Sequence, residues 1–159
     1  MRRDPAKPRL SIDELAARVG GEAFVLRWFL IDQPRIDAFA EVTEDRQFIH
    51  VDPAAARATP FGGPIAHGFL TLAMLSVFAE DALPEILGRA MAVNYGFDRV
   101  RFLAPVPAGA LVRGRFKLVG ATRRSTREWL TNYEATVEIE GAEKPALAAQ
   151  WLMLVVMAG

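Results

Sequence analysis

Apolar and polar residues change their spacing along this chain, and the changes mark out its elements. Ser11-Ile12-Asp13-Glu14-Leu15 has the form of a helix start, with Ser11 as cap and Glu14 three residues later. Gly20-Gly21 ends that helix, and Ala23 to Ile31 is rich in strand formers, which predicts a first strand. Ile36, Phe39 and Ala40 recur at helical spacing and predict a short amphipathic helix over 33–42. From Thr43 to Pro64 the periodicity lapses into loop, with one helical turn expected where Asp52 caps and Pro53 takes the first helical position. Pro60-Phe61-Gly62-Gly63-Pro64 reads as a tight, glycine-rich turn. Ile65 to about Leu83 is apolar on nearly every face, so it predicts a long enclosed helix, roughly 28 Å at about 1.5 Å per residue.

The second half alternates with period two. Val93, Tyr95 and Phe97 share one phase and Val100 and Phe102 the other, so a bulge or bend is expected near Asp98-Arg99. Pro105 and Pro107 mark a loop. Val112, Gly114, Phe116 and Leu118 alternate with Arg113, Arg115 and Lys117, and Trp129, Tyr133, Ala135, Val137 and Ile139 continue the pattern. Glu140-Gly141 is a turn, and Leu147 to Val156 is apolar on both faces toward its end, which predicts a strand that is central or at an interface. One strand, a buried helix and a run of antiparallel strands imply an α+β fold with the sheet curled around the helix. Residues 1–9 read as a flexible arm and 10–159 as one domain. A single sheet around one helix leaves an edge exposed, and dimerisation is the usual remedy.

Composition narrows the function. Basic and acidic residues number 19 each, so no general affinity for nucleic acid or for an anionic membrane is expected. The longest apolar run is too short for a membrane span of about 20 residues, and the N-terminus lacks the apolar stretch of a signal peptide. With no cysteine, disulfides and thiolate metal sites are excluded, and the composition fits a cytoplasmic protein.

The segment Asp45-Arg46-Gln47-Phe48-Ile49-His50-Val51-Asp52 carries the candidate chemistry. It sets a carboxylate and an imidazole five residues apart in a loop before the buried helix. Histidine is the side chain suited to proton transfer near neutral pH, and a nearby carboxylate can orient its ring or share a water with it. The second part is Gly62-Gly63-Pro64-Ile65-Ala66-His67-Gly68, where glycines permit close backbone approach and a helix N-terminus offers unpaired N–H groups. Such donors suit a carbonyl oxygen that becomes enolate-like. Asp52 reads most simply as a helix cap, and His67 as a residue that satisfies a backbone carbonyl or lines the pocket. Two histidines without i, i+4 spacing on a helix argue against a metal site, and no cofactor is implied. Arg123-Arg124 and Arg127 belong to an exposed hairpin.

Asp45, His50-Val51-Asp52 and Gly63-Pro64-Ile65-Ala66-His67-Gly68 together resemble the hydratase motif of the MaoC-like family, the (R)-specific enoyl-CoA hydratases. The stretch from Ala92 to Pro107 resembles that family's NodN-like subgroup. The likeness runs over roughly residues 30–157. It implies a hot-dog fold, a long central helix wrapped by an antiparallel sheet, paired into a homodimer with active sites near the subunit interface. It implies that Asp45 and His50 form the catalytic pair and that the Gly68 amide polarises the thioester carbonyl. Gly63, Ile65, Ala66, Phe69, Ser76 and Asn94 would line the substrate site, Ser76 matching a serine on the central helix of related hydratases. One departure stands out: many members carry Asn-Pro between the pair, where this chain has Gln47-Phe48.

The expected reaction is reversible addition of water to a trans-2-enoyl thioester of coenzyme A. Alternatives on the same fold are dehydration of hydroxyacyl-carrier-protein substrates, thioester hydrolysis, and acyl binding without turnover. Thioesterases of this fold commonly place an acidic residue on the central helix, and Ile65 to Ala79 contains none.

Overall fold

The computed structural model describes residues 7–25 and 27–159. Residues 1–6 of the expected arm, and Leu26 within the expected first strand, lie outside the described residues. β1 (Arg9–Leu10) leads into α1 (Ile12–Ala16), and the expected capping box is present: Ser11 Oγ accepts from Glu14 N–H, and Glu14 Oε2 accepts from Ser11 N–H at 2.6 Å. The expected first strand is two pieces, β2 (Phe24–Val25) and β3 (Phe29–Ile31). The register explains the break. Val25 and Phe29 are four residues apart, yet their partners Arg115 and Val112 are three apart, so one extra residue must bulge out. Arg113 closes over the gap, its guanidinium 4.4 Å from the centre of the Trp28 ring.

α2 (Gln33–Thr43) is capped by Asp32 and ends at Glu44 in the left-handed region, φ 62°. The following segment is more helical than its sequence suggests. α3 (Phe48–Val51) precedes α4 (Pro53–Arg57), where Asp52 Oδ1 accepts from Ala54 and Ala55 N–H as expected. The central helix is α5 (Gly68–Ala73) continued, after a tightened turn at Met74, by α6 (Leu75–Ala82). It starts three residues later than its apolar pattern predicts, because the backbone of 64–66 bonds elsewhere. Ile65 N–H donates to Ile49 O, Ala66 N–H to Val106 O, and Ala108 N–H to Pro64 O. This extended strap pins the Asp45–Val51 loop to the 106–108 loop.

β4 (Glu85–Ile86) pairs in parallel with β1. Four long strands follow: β5 (Arg89–Phe102), β6 (Ala110–Arg123), β7 (Glu128–Ile139) and β8 (Leu147–Met157). The main sheet has the order β2-β6-β7-β8-β5, with β3 also on β6, and all its pairings are antiparallel. β8 lies inside the sheet, which accounts for its apolar character on both faces. The register of β5 shifts between Asp98 and Arg101, with Arg99 at φ 56°, where the alternation changes phase.

The sheet curls over the helix around Phe78, Phe116, Trp151, Leu75 and Leu118, each fully buried. Burial of side chains of this size contributes about 1.5–3 kcal/mol each. Gly114 lets the helix approach closely, since a Cβ there would stand 2.6 Å from Phe78 Cβ. The enclosure is not complete. Phe69 and Val77 on the central helix are exposed, and Met91, Val93 and Tyr95 on β5 stand exposed at the sheet edge rather than in the core. No described helix is long and apolar enough to cross a membrane.

Candidate active site

The strap and the short helix α3 bring the two halves of the motif together. His50 is buried, and its Nδ1 lies 2.7 Å from Ile65 O. A carbonyl only accepts, so the neutral ring carries its proton on Nδ1 and keeps the Nε2 lone pair free. Gln33, from the first turn of α2, donates Nε2–H to His50 O and to Asp37 Oδ1, each at 2.7 Å. Burial holds the His50 pKa below its ordinary value, partly offset by the Ile65 bond. His67 pushes in the lowering direction and Asp45 in the raising one. The neutral, proton-accepting form is favoured.

His67 is 2% exposed and directs Nε2 to the backbone oxygen of Asp45 at 2.9 Å, the carbonyl-satisfying role its position suggests. Its ring stacks on that of His50, centroids 3.8 Å apart and planes 26° apart. Asp45 is exposed, and one of its carboxylate oxygens lies with a nitrogen of each histidine inside a 4.8 Å cluster. One water can bridge such a spacing. The same three residues are the metal-ligand candidates among the described residues. Their geometry suits an ion poorly. The ring planes are stacked 3.8 Å apart and only 26° from parallel, so lone pairs lying in those planes converge poorly on one ion.

His50 and Gly68 open onto a cleft of about 320 Å³ that is mostly apolar, with Ile65, Ala66, Thr71 and Phe102 among its walls. Gly68 is the first residue of α5, so its N–H has no acceptor within the helix. A Cβ on Gly68 would stand 3.0 Å from the Phe102 ring, so glycine lets β5 close against the helix start.

The structure therefore gathers Asp45, His50, Gly68, Ile65 and Ala66 in one place. Gly63 sits half-buried in the preceding turn. Phe69 is exposed, its ring edge-on to Phe102 at 5.7 Å. Ser76 and Asn94 lie elsewhere in the single chain. They line a second cleft of about 220 Å³ with Lys7, Arg89 and Trp151. Asn94 Oδ1 accepts there from Trp151 Nε1–H at 2.8 Å. Sequence reading missed Gln33 and Phe102. Gln33 meets His50 only through tertiary packing, with no local signal. Phe102 was legible as a strand residue but not as a cleft wall.

Against known proteins, the MaoC like domain family matches residues 16–139. The chain is 49% identical to nodulation protein N of Rhizobium meliloti over 146 residues, covering 91% of each. It is 42% identical over 140 residues to 3-hydroxyacyl-thioester dehydratase Z of Mycobacterium tuberculosis, covering 88% of this chain and 92% of that one. Among solved structures, an (R)-hydratase from A. caviae involved in PHA biosynthesis superposes with a TM-score of 0.64 at 25% identity, covering 84% of this chain and 93% of that one.

Proposed function

Since this chain belongs to the MaoC-like family and has its hot-dog fold, we propose that it is an (R)-specific enoyl-CoA hydratase, adding water reversibly to a trans-2-enoyl thioester through Asp45 and His50. At the coarser level it is a hydratase or dehydratase of hydroxyacyl thioesters, in line with the dehydratase and the hydratase it resembles. The observation that carries the finer reading is the buried His50, its Nδ1 committed to Ile65 O, with a ring nitrogen within 4.8 Å of an Asp45 carboxylate oxygen.

In the proposed reaction a water rests between Asp45 and His50 Nε2. As its oxygen bonds to the β carbon, the pair takes one proton from it. The electron pair of the double bond moves toward the thioester carbonyl, whose oxygen accepts from Gly68 N–H. The pair then returns one proton to the α carbon on the same face. One water has been added, and the pair ends as it began. The apolar walls accept the acyl chain.

We take the active unit to be a homodimer joined across β5. That strand forms the outer edge of the sheet and exposes Met91, Val93, Tyr95 and Phe102. Unpaired edges of this length are ordinarily covered. Antiparallel pairing of β5 with its copy would set the Arg89 end of one strand beside the Phe102 end of the other. The partner's Ser76 and Asn94 cleft would then lie beside the His50 cleft, which reunites the substrate residues that one chain separates.

The test is loss of enoyl absorbance from crotonyl-CoA, with Asp45→Asn and His50→Ala in parallel. Each folded variant should lose about 10²–10⁴-fold in rate. A native protein inert toward short and long enoyl-CoA and enoyl-carrier-protein substrates overturns the reading.

A further inference from the structure

His67 is in contact with every part of the candidate machinery without belonging to the proposed pair. Its Nε2–H holds the Asp45 carbonyl, its ring face lies under His50, and its own peptide bond supplies the Gly68 N–H. Phe39 supports the ring from another side, with centroids 5.0 Å apart. Packing alone does not explain a histidine here. Its Nδ1 is buried with no hydrogen-bond partner, and an orphaned buried polar atom costs about 1–3 kcal/mol. A phenyl ring would fill the same space without that cost. The hydrogen bonds also give the neutral rings opposite tautomers. His50 carries its proton on Nδ1 toward Ile65 O, and His67 carries its proton on Nε2 toward Asp45 O.

We propose that His67 is a positioning residue that sets the separation of Asp45 and His50, its Nε2–H fixing the Asp45 backbone and its ring face fixing the plane of the His50 imidazole. The proposal rests on the reading of Asp45 and His50 as the catalytic pair. A displacement near 1 Å in such a pair can lower a rate by about 10²-fold.

Two substitutions separate the two contacts. His67→Phe keeps the stacked ring and removes the donor. His67→Gln places an amide N–H near the Nε2 position and removes the ring. With crotonyl-CoA, His67→Phe should lower kcat about 10- to 100-fold and leave KM within about threefold, and His67→Gln should recover part of that loss. A role in folding alone would lower the amount of active protein without this split or this rescue. The chain has two histidines, so nitrogen NMR of the native protein reads both tautomers directly, and one Nδ1–H and one Nε2–H form are expected. A folded His67→Phe with native kcat overturns the proposal and leaves the hydratase reading standing. If His67→Phe does not fold, a shared tautomer in the native protein, or unchanged kcat in His67→Gln, overturns it instead. A native protein inert toward all enoyl thioesters overturns both.

Discussion

The imidazole of His50 and the carbonyl of Ile65 meet at 2.7 Å across the strap that precedes the central helix, and this contact fixes which nitrogen of the ring is basic. Burial lowers the His50 pKa from its ordinary 6.5. The kcat/KM of the hydration reaction should therefore be level at and above neutral pH. It should fall about tenfold per unit only below a pKa that lies under 6.5. The same shift acts on stability. The unfolded chain takes up this proton at a higher pH than the folded one, so the contribution is present above 6.5 and is lost as pH falls through the folded value. Urea midpoints at pH 8 and pH 5 should converge more in His50→Gln than in the native protein. A rate that falls through a pKa above 6.5 would be incompatible with a desolvated His50 as base.

Gly68→Ala separates stability from function. Alanine favours a helix over glycine by about 1 kcal/mol. Against this, its Cβ would stand 3.0 Å from the Phe102 ring. A swing of that ring by a few tenths of an ångström relieves the contact, so the melting temperature should change by only a few degrees. The swing alters a wall of the cleft beside the Gly68 N–H, and kcat/KM for crotonyl-CoA should fall about tenfold or more, the scale of a misplaced catalytic group. Unchanged kinetics would remove Gly68 from the site.

What the sequence made legible was set by local patterning. The capping box at Ser11 and Glu14, the Asp52 cap and the phase change near Arg99 all follow from backbone chemistry within a few residues, and all are present. The apolar stretch from Ile65 has a helical pattern, yet the helix starts only at Gly68, because hydropathy reports burial and not backbone conformation. Residues 64–66 are buried or half-buried, yet they spend their hydrogen bonds on Ile49, Val106 and Ala108. The extra residue that splits the first strand is visible only against its partner, β6. Val93 and Tyr95 follow a strand pattern that the single chain leaves exposed. The pairing of Asp45 with His50 was legible as a motif, whereas the stacked His67 beneath it needed the fold.

That exposed edge yields a third prediction. Val93→Asp with Tyr95→Asp crowds four added carboxylates around the twofold axis of an antiparallel β5 pairing, and like charges across such a pairing are destabilising. Light scattering should show two chains per particle for the native protein and one for the double variant. Both positions are exposed in the single chain, so its fold should survive, with far-UV circular dichroism unchanged. Hydratase activity should disappear with the dimer, because the Ser76 and Asn94 cleft of the partner is withdrawn. A folded, fully active monomer would show that the His50 cleft is sufficient alone.

Gln33 offers a fourth prediction, in which opposing terms decide the outcome. Gln33→Met removes two hydrogen bonds of 2.7 Å, one to Asp37 and one to His50 O. Their net worth is about 1 kcal/mol each. The substitution also removes Gln33 Oε1, which is buried without a partner and so costs about 1–3 kcal/mol in the native chain. These terms nearly cancel, and the urea midpoint should move little. The kinetic effect has no such offset. The peptide of His50 loses its tie to α2, leaving the bond from Nδ1 to Ile65 O to hold this residue against another part of the fold. Turnover of crotonyl-CoA should fall about tenfold with KM little changed. Gln33→Glu should be worse on both counts, since its carboxylate would face Asp37 and a carbonyl oxygen. If Gln33→Met instead loses stability and keeps its kcat, Gln33 serves the fold and not the placement of His50.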